Sequence, residues 1–213
     1  MNRRDLIKQI ALLTGGVVIG GEVFLSGCKS GTGTEVGFTA SNLALLDEIG
    51  EGILPATSTP GAKAAKIAEF MKVIVNDCYE ASEQKIFTDG IGKFQDACKK
   101  AKGKSYMDCS AEERHDFLVT LDKEAKEHQK RKSELEKQDK EIKQKEQTDK
   151  QATDVSDERK THYFTMMKQL TLWGYFTSKE GVTNALNYQP VPGKFVGVTD
   201  YKKGDKALAN LDG

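Results

Sequence analysis

The apolar residues of this chain recur at helical spacing, and that pattern restricts the fold more than any other feature of the sequence. The clearest run is Ile67, Phe70, Met71, Ile74, Val75 and Cys78. Side chains spaced three and four residues apart lie on one face of a helix, which can then be buried. The sequence has four prolines and few alternating β-branched runs, so it favours helices over a sheet. We therefore expect an all-α fold, built as a small helical bundle.

Helix-start signals divide the chain into five predicted helices. They begin at or near Thr39, Thr59, Ser82, Ser110 and Asp157. A short polar side chain at such a position accepts a hydrogen bond from a free backbone N–H of the first turn. Pro55 is expected to end the first helix, and Pro60 suits the first position of the second. Beyond Tyr188, prolines two residues apart forbid a helix and predict an extended C-terminal tail.

Residues 122–160 differ in composition from the rest of the chain. They contain 12 basic and 12 acidic residues and no Phe, Tyr or Trp. Leu121, His128 and Leu135 are seven residues apart, but the core positions between them are mostly polar, so only half of a coiled-coil seam is present. One interpretation is a long charged helical extension, solvated and rich in ion pairs, that frays near residues 148–156. The alternative is a helix that binds a partner.

The N-terminal segment has the three parts of an export signal. Arg3 and Arg4 give it a basic head, residues 10–21 carry no charge, and a Leu-Ser-Gly-Cys sequence closes it at Cys28. The uncharged run is shorter than the roughly 20 residues that span a bilayer, so we do not expect a permanent membrane span. The paired arginines resemble the twin-arginine signal, which directs the export of folded proteins. The last four residues resemble the bacterial lipobox, whose cysteine becomes lipidated.

These features predict the domain organisation and the location of the chain. We expect a twin-arginine-type lipoprotein signal peptide at residues 1–27, a flexible tether at 28–38 and a helical domain at 39–213. Several acyl chains on Cys28 would hold the exported chain firmly on a membrane, in the bacterial periplasm or cell envelope. An ordinary secretory signal in which Cys28 occurs by chance is the alternative.

Three cysteines remain once Cys28 is assigned to lipid. Cys78, Cys98 and Cys109 allow three different single bridges in an oxidising compartment. Cys78 falls on the apolar face of its helix, so we expect it to be a buried free thiol. Cys98 and Cys109 are the candidate pair for a disulfide. The alternative is that the cysteine left unpaired forms a disulfide with another chain.

The sequence contains no recognisable catalytic, metal or cofactor motif. It lacks Cys-x-x-Cys, His-Glu-x-x-His and the G-x-G-x-x-G pattern of nucleotide-binding turns. Its formal net charge is zero, which does not suggest nucleic acid as a partner. Asp47, Glu48 and Glu51 lie together on the first predicted helix, and paired carboxylates can exchange protons. Because no nucleophile is near them, we do not assign catalysis to this cluster.

Three segments taken together resemble a known family. Residues 49–65 read Ile-Gly-Glu-Gly-Ile-Leu-Pro-Ala-Thr, then Ser, then Thr-Pro-Gly-Ala-Lys-Ala-Ala. Residues 172–181 read Leu-Trp-Gly-Tyr-Phe-Thr-Ser-Lys-Glu-Gly, and residues 188–193 contain Tyr followed by Val-Pro-Gly. In this order they are similar to the gluconate 2-dehydrogenase subunit 3 family, the small subunits of membrane-bound flavin-dependent sugar dehydrogenases. The likeness runs from about residue 43 to 195, interrupted by the charged stretch.

The resemblance implies a non-catalytic accessory subunit that binds a large subunit of the glucose-methanol-choline oxidoreductase type. That partner would carry FAD, oxidise a sugar or sugar acid, and be exported already folded on the signal of this chain. Electrons would then pass to a cytochrome c subunit or a quinone. We expect no cofactor in this chain itself.

Two of the resembling segments are the candidate contacts with the large subunit. The residues are Pro55, Thr59, Pro60, Gly61, Trp173, Gly174, Tyr175 and Phe176. Aromatic residues anchor interfaces but also form cores, and the sequence leaves both interpretations open for residues 173–176. Two other functions remain as alternatives: an exported helical lipoprotein that binds a cell-envelope partner through its charged helix, and an enzyme that acts alone.

Overall fold

A computed structural model describes residues 38–146 and 159–191, followed by positions 193, 198, 200 and 202–209. Side chains are described as far as residue 140 in the first of these ranges. The predicted signal with Arg3 and Arg4, the lipidation site Cys28 and most of the tether lie outside the described residues.

Six α-helices make up the described part of the chain, which contains no β-strand. They are α1 (Ala40–Ile53), α2 (Ile67–Cys78), α3 (Ala81–Lys102), α4 (Ala111–Glu146), α5 (Tyr163–Thr177) and α6 (Lys179–Ala185), with a 3-10 turn at Tyr106–Asp108 between α3 and α4. Asn187 and Leu208 form one isolated bridge, so the extended segment after α6 pairs with the chain near its end. The all-α prediction is confirmed.

The core is organised around α5, which packs against α1, α2, α3, α4 and α6. Its buried side chains include Phe164, Met167 and Leu170. The buried polar residue Thr171 donates its hydroxyl hydrogen to the carbonyl of Met167 at 2.8 Å, so its burial leaves no polar group unsatisfied. Because five helices contact α5, its two ends are fixed relative to the rest of the domain.

The predicted helix starts at Thr39 and Ser110 are confirmed. Thr39 caps α1, since its hydroxyl oxygen accepts a hydrogen bond from the backbone N–H of Asn42 at 3.2 Å. Ser110 and Glu113 form a capping box at the start of α4: the N–H of Ser110 donates to the Glu113 carboxylate at 2.7 Å, and the N–H of Glu113 donates to the Ser110 hydroxyl at 3.2 Å. Gly103 ends α3 in the left-handed conformation, with φ 71°.

Three predicted helix starts are wrong. The N-terminal capping residue of α2 is Lys66 rather than Thr59, that of α3 is Glu80 rather than Ser82, and that of α5 is His162 rather than Asp157. For α3, the Glu83 carboxylate accepts the N–H of Glu80 at 3.3 Å and closes the first turn before Ser82 is reached. A capping residue suggested by the local sequence is therefore not used where another side chain already accepts the free N–H groups of the first turn.

The prediction of a buried Cys78 is also wrong, because this thiol is exposed. Cys78 keeps the apolar spacing of α2, but it is the last residue of that helix. Val75 is the last buried position, and the chain turns away through Tyr79 toward α3. Apolar periodicity predicts which face of a helix is buried. A residue on that face is buried only where another part of the chain packs against the helix at that position.

The charged extension is a continuation of α4, which is helical through Glu146. Lys168 of α5 pairs with Asp122 at 2.6 Å, and Lys132 donates to the Thr161 hydroxyl at 3.1 Å. Arg159 also pairs with Asp139, so residues 159–161 lie along α4. The expected fraying near residues 148–156 lies outside the described residues.

Two glycines near the middle of α3 provide a matched test of the packing between α3 and α5. A Cβ at Gly90 would lie 2.4 Å from Cβ of Tyr163, whereas a Cβ at Gly92 would meet no atom within 4 Å. Gly90→Ala should destabilise the fold by about 1–3 kcal/mol through overpacking. Gly92→Ala should stabilise it by roughly 0.5–1 kcal/mol through better helix propensity. Urea unfolding of both variants tests the α3–α5 contact, and a neutral Gly90→Ala would contradict it.

Acidification should weaken the cap of α5. The Nδ1 atom of His162 accepts the N–H of Phe164 at 3.2 Å, and burial, with His128 and Lys93 adding repulsion, lowers the pKa of His162 to about 4. Below pH 6.5 the unfolded chain therefore binds a proton at this histidine more readily than the folded chain does, so stability should fall as the pH is lowered from about 6.5 to 4. After allowance for solvent screening, the expected loss is about 1–2 kcal/mol of unfolding free energy. Urea unfolding against pH should show this loss in the native chain and a smaller one in His162→Asn. Exposed His115→Asn is the control and should keep the native pH profile.

Candidate functional site

The segment that joins α1 to α2, called here the α1–α2 turn (residues 54–66), is held at two points by one carboxylate. Glu51 on the last turn of α1 accepts the backbone N–H of Ala56 at 2.8 Å through Oε1. It accepts the backbone N–H of Lys63 at 2.9 Å through Oε2. A carboxylate that takes two N–H groups from positions 5 and 12 residues away fixes both ends of the turn at once.

Gly61 is required by this arrangement. A Cβ at that position would lie 2.3 Å from Oε1 of Glu51 and 2.6 Å from the backbone nitrogen of Ala56. No side chain fits in that space, because the carboxylate and the backbone it binds already occupy it. Gly61 is therefore buried at the centre of the turn and does not form part of the exposed surface.

Asp47 provides the cap that α2 lacks locally. Its Oδ1 atom accepts the N–H of Ala68 at 3.0 Å, at the second residue of α2. Burial raises the pKa of Asp47, and the hydrogen bond from Ala68 opposes that rise. Lys66, immediately before the helix, has φ 53°, a left-handed conformation that side-chain-bearing residues rarely adopt. The cap from α1 holds the chain in this bend.

Glu48 links the same turn to α4. It pairs with Lys63 and, at 2.8 Å, with Arg114. These cations, Lys63 first, hold the pKa of Glu48 below its ordinary value. Arg114 also donates to the carbonyls of Tyr106 at 3.0 Å and Met107 at 2.7 Å. All three carboxylates of the cluster on α1 are thus engaged in holding backbone or basic side chains.

The α1–α2 turn and residues 173–176 of α5 are brought together in space. The hydroxyl of Tyr175 donates to the carbonyl of Pro60 at 2.7 Å, across 115 positions of sequence. Gly174 lies against α2, where an added Cβ would be 2.6 Å from Cδ1 of Phe70. The two segments singled out from the sequence are therefore one connected region of the fold.

Exposure separates the predicted contact residues into two groups. Pro55, Trp173 and Phe176 are exposed, Thr59 and Pro60 are half-buried, and Gly61, Gly174 and Tyr175 are buried. Buried residues cannot touch a partner directly, so Gly61, Gly174 and Tyr175 support the surface rather than form it. Of residues 173–176, Trp173 and Phe176 are therefore available to an interface, whereas Gly174 and Tyr175 belong to the core.

An aromatic and aliphatic surface remains, called here the Trp173 surface (Phe70, Val73, Trp173 and Phe176). Trp173 is 52% exposed and Val73 is 53% exposed. The rings of Phe70 and Trp173 meet edge to face, with centroids 5.4 Å apart. Phe176 lies one turn beyond Trp173 on the same side of α5. Sequence reasoning missed Val73, although its place off the buried stripe of the most amphipathic helix was a usable signal.

A shallow groove lies between α1 and α4 near this region. Gly52 and His115 lie on it, with Leu118 and Val119 along its apolar side. Within the described residues, no group of three or more His, Cys, Asp or Glu side chains could hold a metal ion. Among the helices of the same part of the chain, none combines the length and apolar character needed to cross a bilayer.

This arrangement defines a class of protein: a small all-α domain in which two sequence motifs hold a turn and support an exposed aromatic surface. The model of the family described as gluconate 2-dehydrogenase subunit 3 matches residues 40–193. The chain therefore belongs to that family, which makes it an accessory subunit of a dehydrogenase complex. None of the curated proteins and none of the solved structures compared with it matches.

Removing the Glu51 carboxylate should loosen the α1–α2 turn. Glu51→Ala leaves two backbone N–H groups without their acceptor and should cost about 2–3 kcal/mol of unfolding free energy. Gly61→Ala should cost a similar amount, because its Cβ would displace the same carboxylate. Urea unfolding provides the measurement. Glu124→Ala, at an exposed position of α4, is the control and should change stability by less than about 0.5 kcal/mol. Equal effects of Glu51→Ala and Glu124→Ala would contradict the role of Glu51.

Proposed function

We propose that this chain is the non-catalytic small subunit that escorts and anchors a periplasmic, flavin-dependent sugar or sugar-acid dehydrogenase. The observation that carries the proposal is the family match over residues 40–193. The catalytic partner would be a large subunit of the glucose-methanol-choline oxidoreductase type. It would hold FAD and pass electrons to a cytochrome c subunit or a quinone.

The N-terminal sequence supports an escort role. A twin-arginine signal at Arg3 and Arg4 serves proteins that must fold before export. A flavin enzyme is such a protein, since its cofactor is inserted during folding in the cytoplasm. One signal on the small subunit would export both chains as a complex. Lipid on Cys28 would then keep the complex on the membrane.

The Trp173 surface is the proposed contact with the large subunit. Contiguous exposed apolar patches mark interaction sites, and large aromatic residues anchor protein interfaces. Trp173 and Val73 are both more than half exposed, and Phe70 lies against the Trp173 ring. Gly174 and Tyr175 fix this part of α5 against α2 and the α1–α2 turn. The surface is thus preorganised, which lowers the entropy lost on binding.

The contrasting proposal is an exported helical lipoprotein that binds a cell-envelope partner through the charged face of α4. The exposed charges of that helix, such as Glu127, Lys130 and Lys137, are the feature in its favour. Asp122 and Asp139 are instead engaged by Lys168 and Arg159 of the same chain. Reversing the charges at Glu127, Lys130 and Lys137 should leave dehydrogenase binding intact if the escort proposal is correct.

Polar substitution of the Trp173 surface should weaken the complex without unfolding the chain. We expect Trp173→Ser to reduce co-purification of the large subunit at least tenfold, because a buried interface aromatic contributes about 2 kcal/mol or more. Met107→Ser is the matched control, an exposed apolar residue in the 3-10 turn at 43% exposure. Tagged variants from solubilised membranes, with melting temperatures measured in parallel, provide the readout. Equal recovery with both variants would exclude this surface.

Export of the large subunit should depend on the signal of this chain. Replacing Arg3 and Arg4 together by Lys should leave the large subunit and its flavin in the cytoplasm, because the twin-arginine transporter reads that pair. Cys28→Ser should instead release the exported complex from the membrane, because no acyl chain is attached. Cell fractionation with flavin fluorescence separates these outcomes. An exported large subunit in the double-Lys variant would contradict the escort role.

A further inference from the structure

Cys98 and Cys109 face each other where the end of α3 approaches the segment that leads into α4. Their Sγ atoms are 3.9 Å apart. Cys98 is completely buried, and Cys109 is 7% exposed. A disulfide needs the sulfurs about 2.05 Å apart, so side-chain rotation and a small backbone shift would have to bring them about 2 Å closer. We propose that Cys98 and Cys109 form an intramolecular disulfide when the folded chain meets a disulfide oxidant.

The backbone around Cys109 allows this movement. Cys109 lies between the 3-10 turn and α4, in an extended conformation, and belongs to neither helix. Its thiol donates to the carbonyl of Ser105 at 3.4 Å, which is a weak bond. Cys109 can therefore shift toward Cys98 while the hydrogen bonds within α3 and α4 stay intact.

The same segment is already fastened on its other side. Arg114 binds the carbonyls of Tyr106 and Met107, and Lys104 pairs with Glu113 at 2.8 Å. These contacts hold residues 104–107 against the first turn of α4 before any bond forms. The covalent bond would therefore fix an arrangement that is present in the dithiol form, and not create a new one.

Cys78 cannot compete for either sulfur. It is the last residue of α2, just before α3 begins at Ala81. Cys98 lies 17 residues further along α3, and a helix rises about 1.5 Å per residue, so roughly 25 Å separates the two ends. Of the three single bridges that the sequence allows, the geometry leaves the one between Cys98 and Cys109.

The bond would form by two thiol–disulfide exchanges. The Cys109 thiolate attacks one sulfur of a small-molecule disulfide such as oxidised glutathione, forming a mixed disulfide and releasing one thiolate. The Cys98 thiolate then attacks the Cys109 sulfur, forms the internal bond and releases the second thiolate. The oxidant gains two electrons and the protons of the two thiols. Cys109 reacts first because it is the more exposed sulfur.

Burial makes the second exchange slow. It raises the pKa of the Cys98 thiol to about 11, with the neighbouring Cys109 adding to the rise and Lys102 and Arg114 opposing it. The thiol is thus mostly protonated near neutral pH, and thiolate is the attacking species. The pair should stay reduced in a cytoplasm rich in glutathione and become oxidised in an oxidising compartment.

The test uses the full chain, purified in its reduced form and incubated with oxidised glutathione at neutral pH. Free thiols are then alkylated, the chain is denatured, and it is mapped by mass spectrometry with and without reduction. We expect Cys78, which is exposed, to carry an alkyl group or a single glutathione that reduction removes, and the Cys98 and Cys109 peptides to be linked to each other before reduction. The oxidised chain should melt roughly 5–10 °C higher than the reduced one.

Two variants make the assignment specific. Cys78→Ser should form the same internal bond as the native chain. Cys98→Ser should stop at the mixed disulfide, with one glutathione trapped on Cys109. A native chain that remains fully reduced, or a bridge that includes Cys78, would overturn the proposal. Neither outcome bears on the escort role, because the pairing does not depend on a dehydrogenase partner.

Discussion

The contact between the Glu51 carboxylate and the α1–α2 turn is the constraint on which the rest of the region depends. By accepting the N–H groups of Ala56 and Lys63, one side chain sets both the course of the turn and the position of Pro60 within it. Tyr175 then bonds to the Pro60 carbonyl, which fixes the end of α5. The α1–α2 turn is thereby fixed in one conformation and supports the end of α5.

This constraint gives the motif residues a common physical meaning. Gly61 and Gly174 are positions where a Cβ would strike the carboxylate or Phe70, and Tyr175 supplies the bond between the two segments. Their burial leaves Trp173, with Phe70 against its ring, as the group presented to solvent. Residues that look like a contact motif in sequence thus divide into a supporting layer and a surface layer, and the proposed partner meets the second.

The sequence predicts the five longest helices because their apolar periodicity is local, but it misplaces three of their starts and does not give the contacts between helices. The apolar periodicity of α2 is visible in a dozen residues, whereas its cap comes from Asp47, 21 positions away on α1. The same limit applies to the acidic cluster: spacing places three carboxylates on α1 but does not reveal the backbone N–H groups and basic side chains that they bind. The Trp173 surface was half predicted, since Trp173 was named and Val73 was not.

The central claim is that the chain works bound to a flavin-containing dehydrogenase subunit. The most direct measurement is purification of the tagged native chain from solubilised membranes of cells that express it naturally, with an absorbance spectrum of the eluate. The account predicts a second, larger chain and a flavin spectrum that bleaches when a sugar or sugar-acid substrate is added. A colourless single chain, recovered from membranes in which dehydrogenase activity is retained, would contradict it.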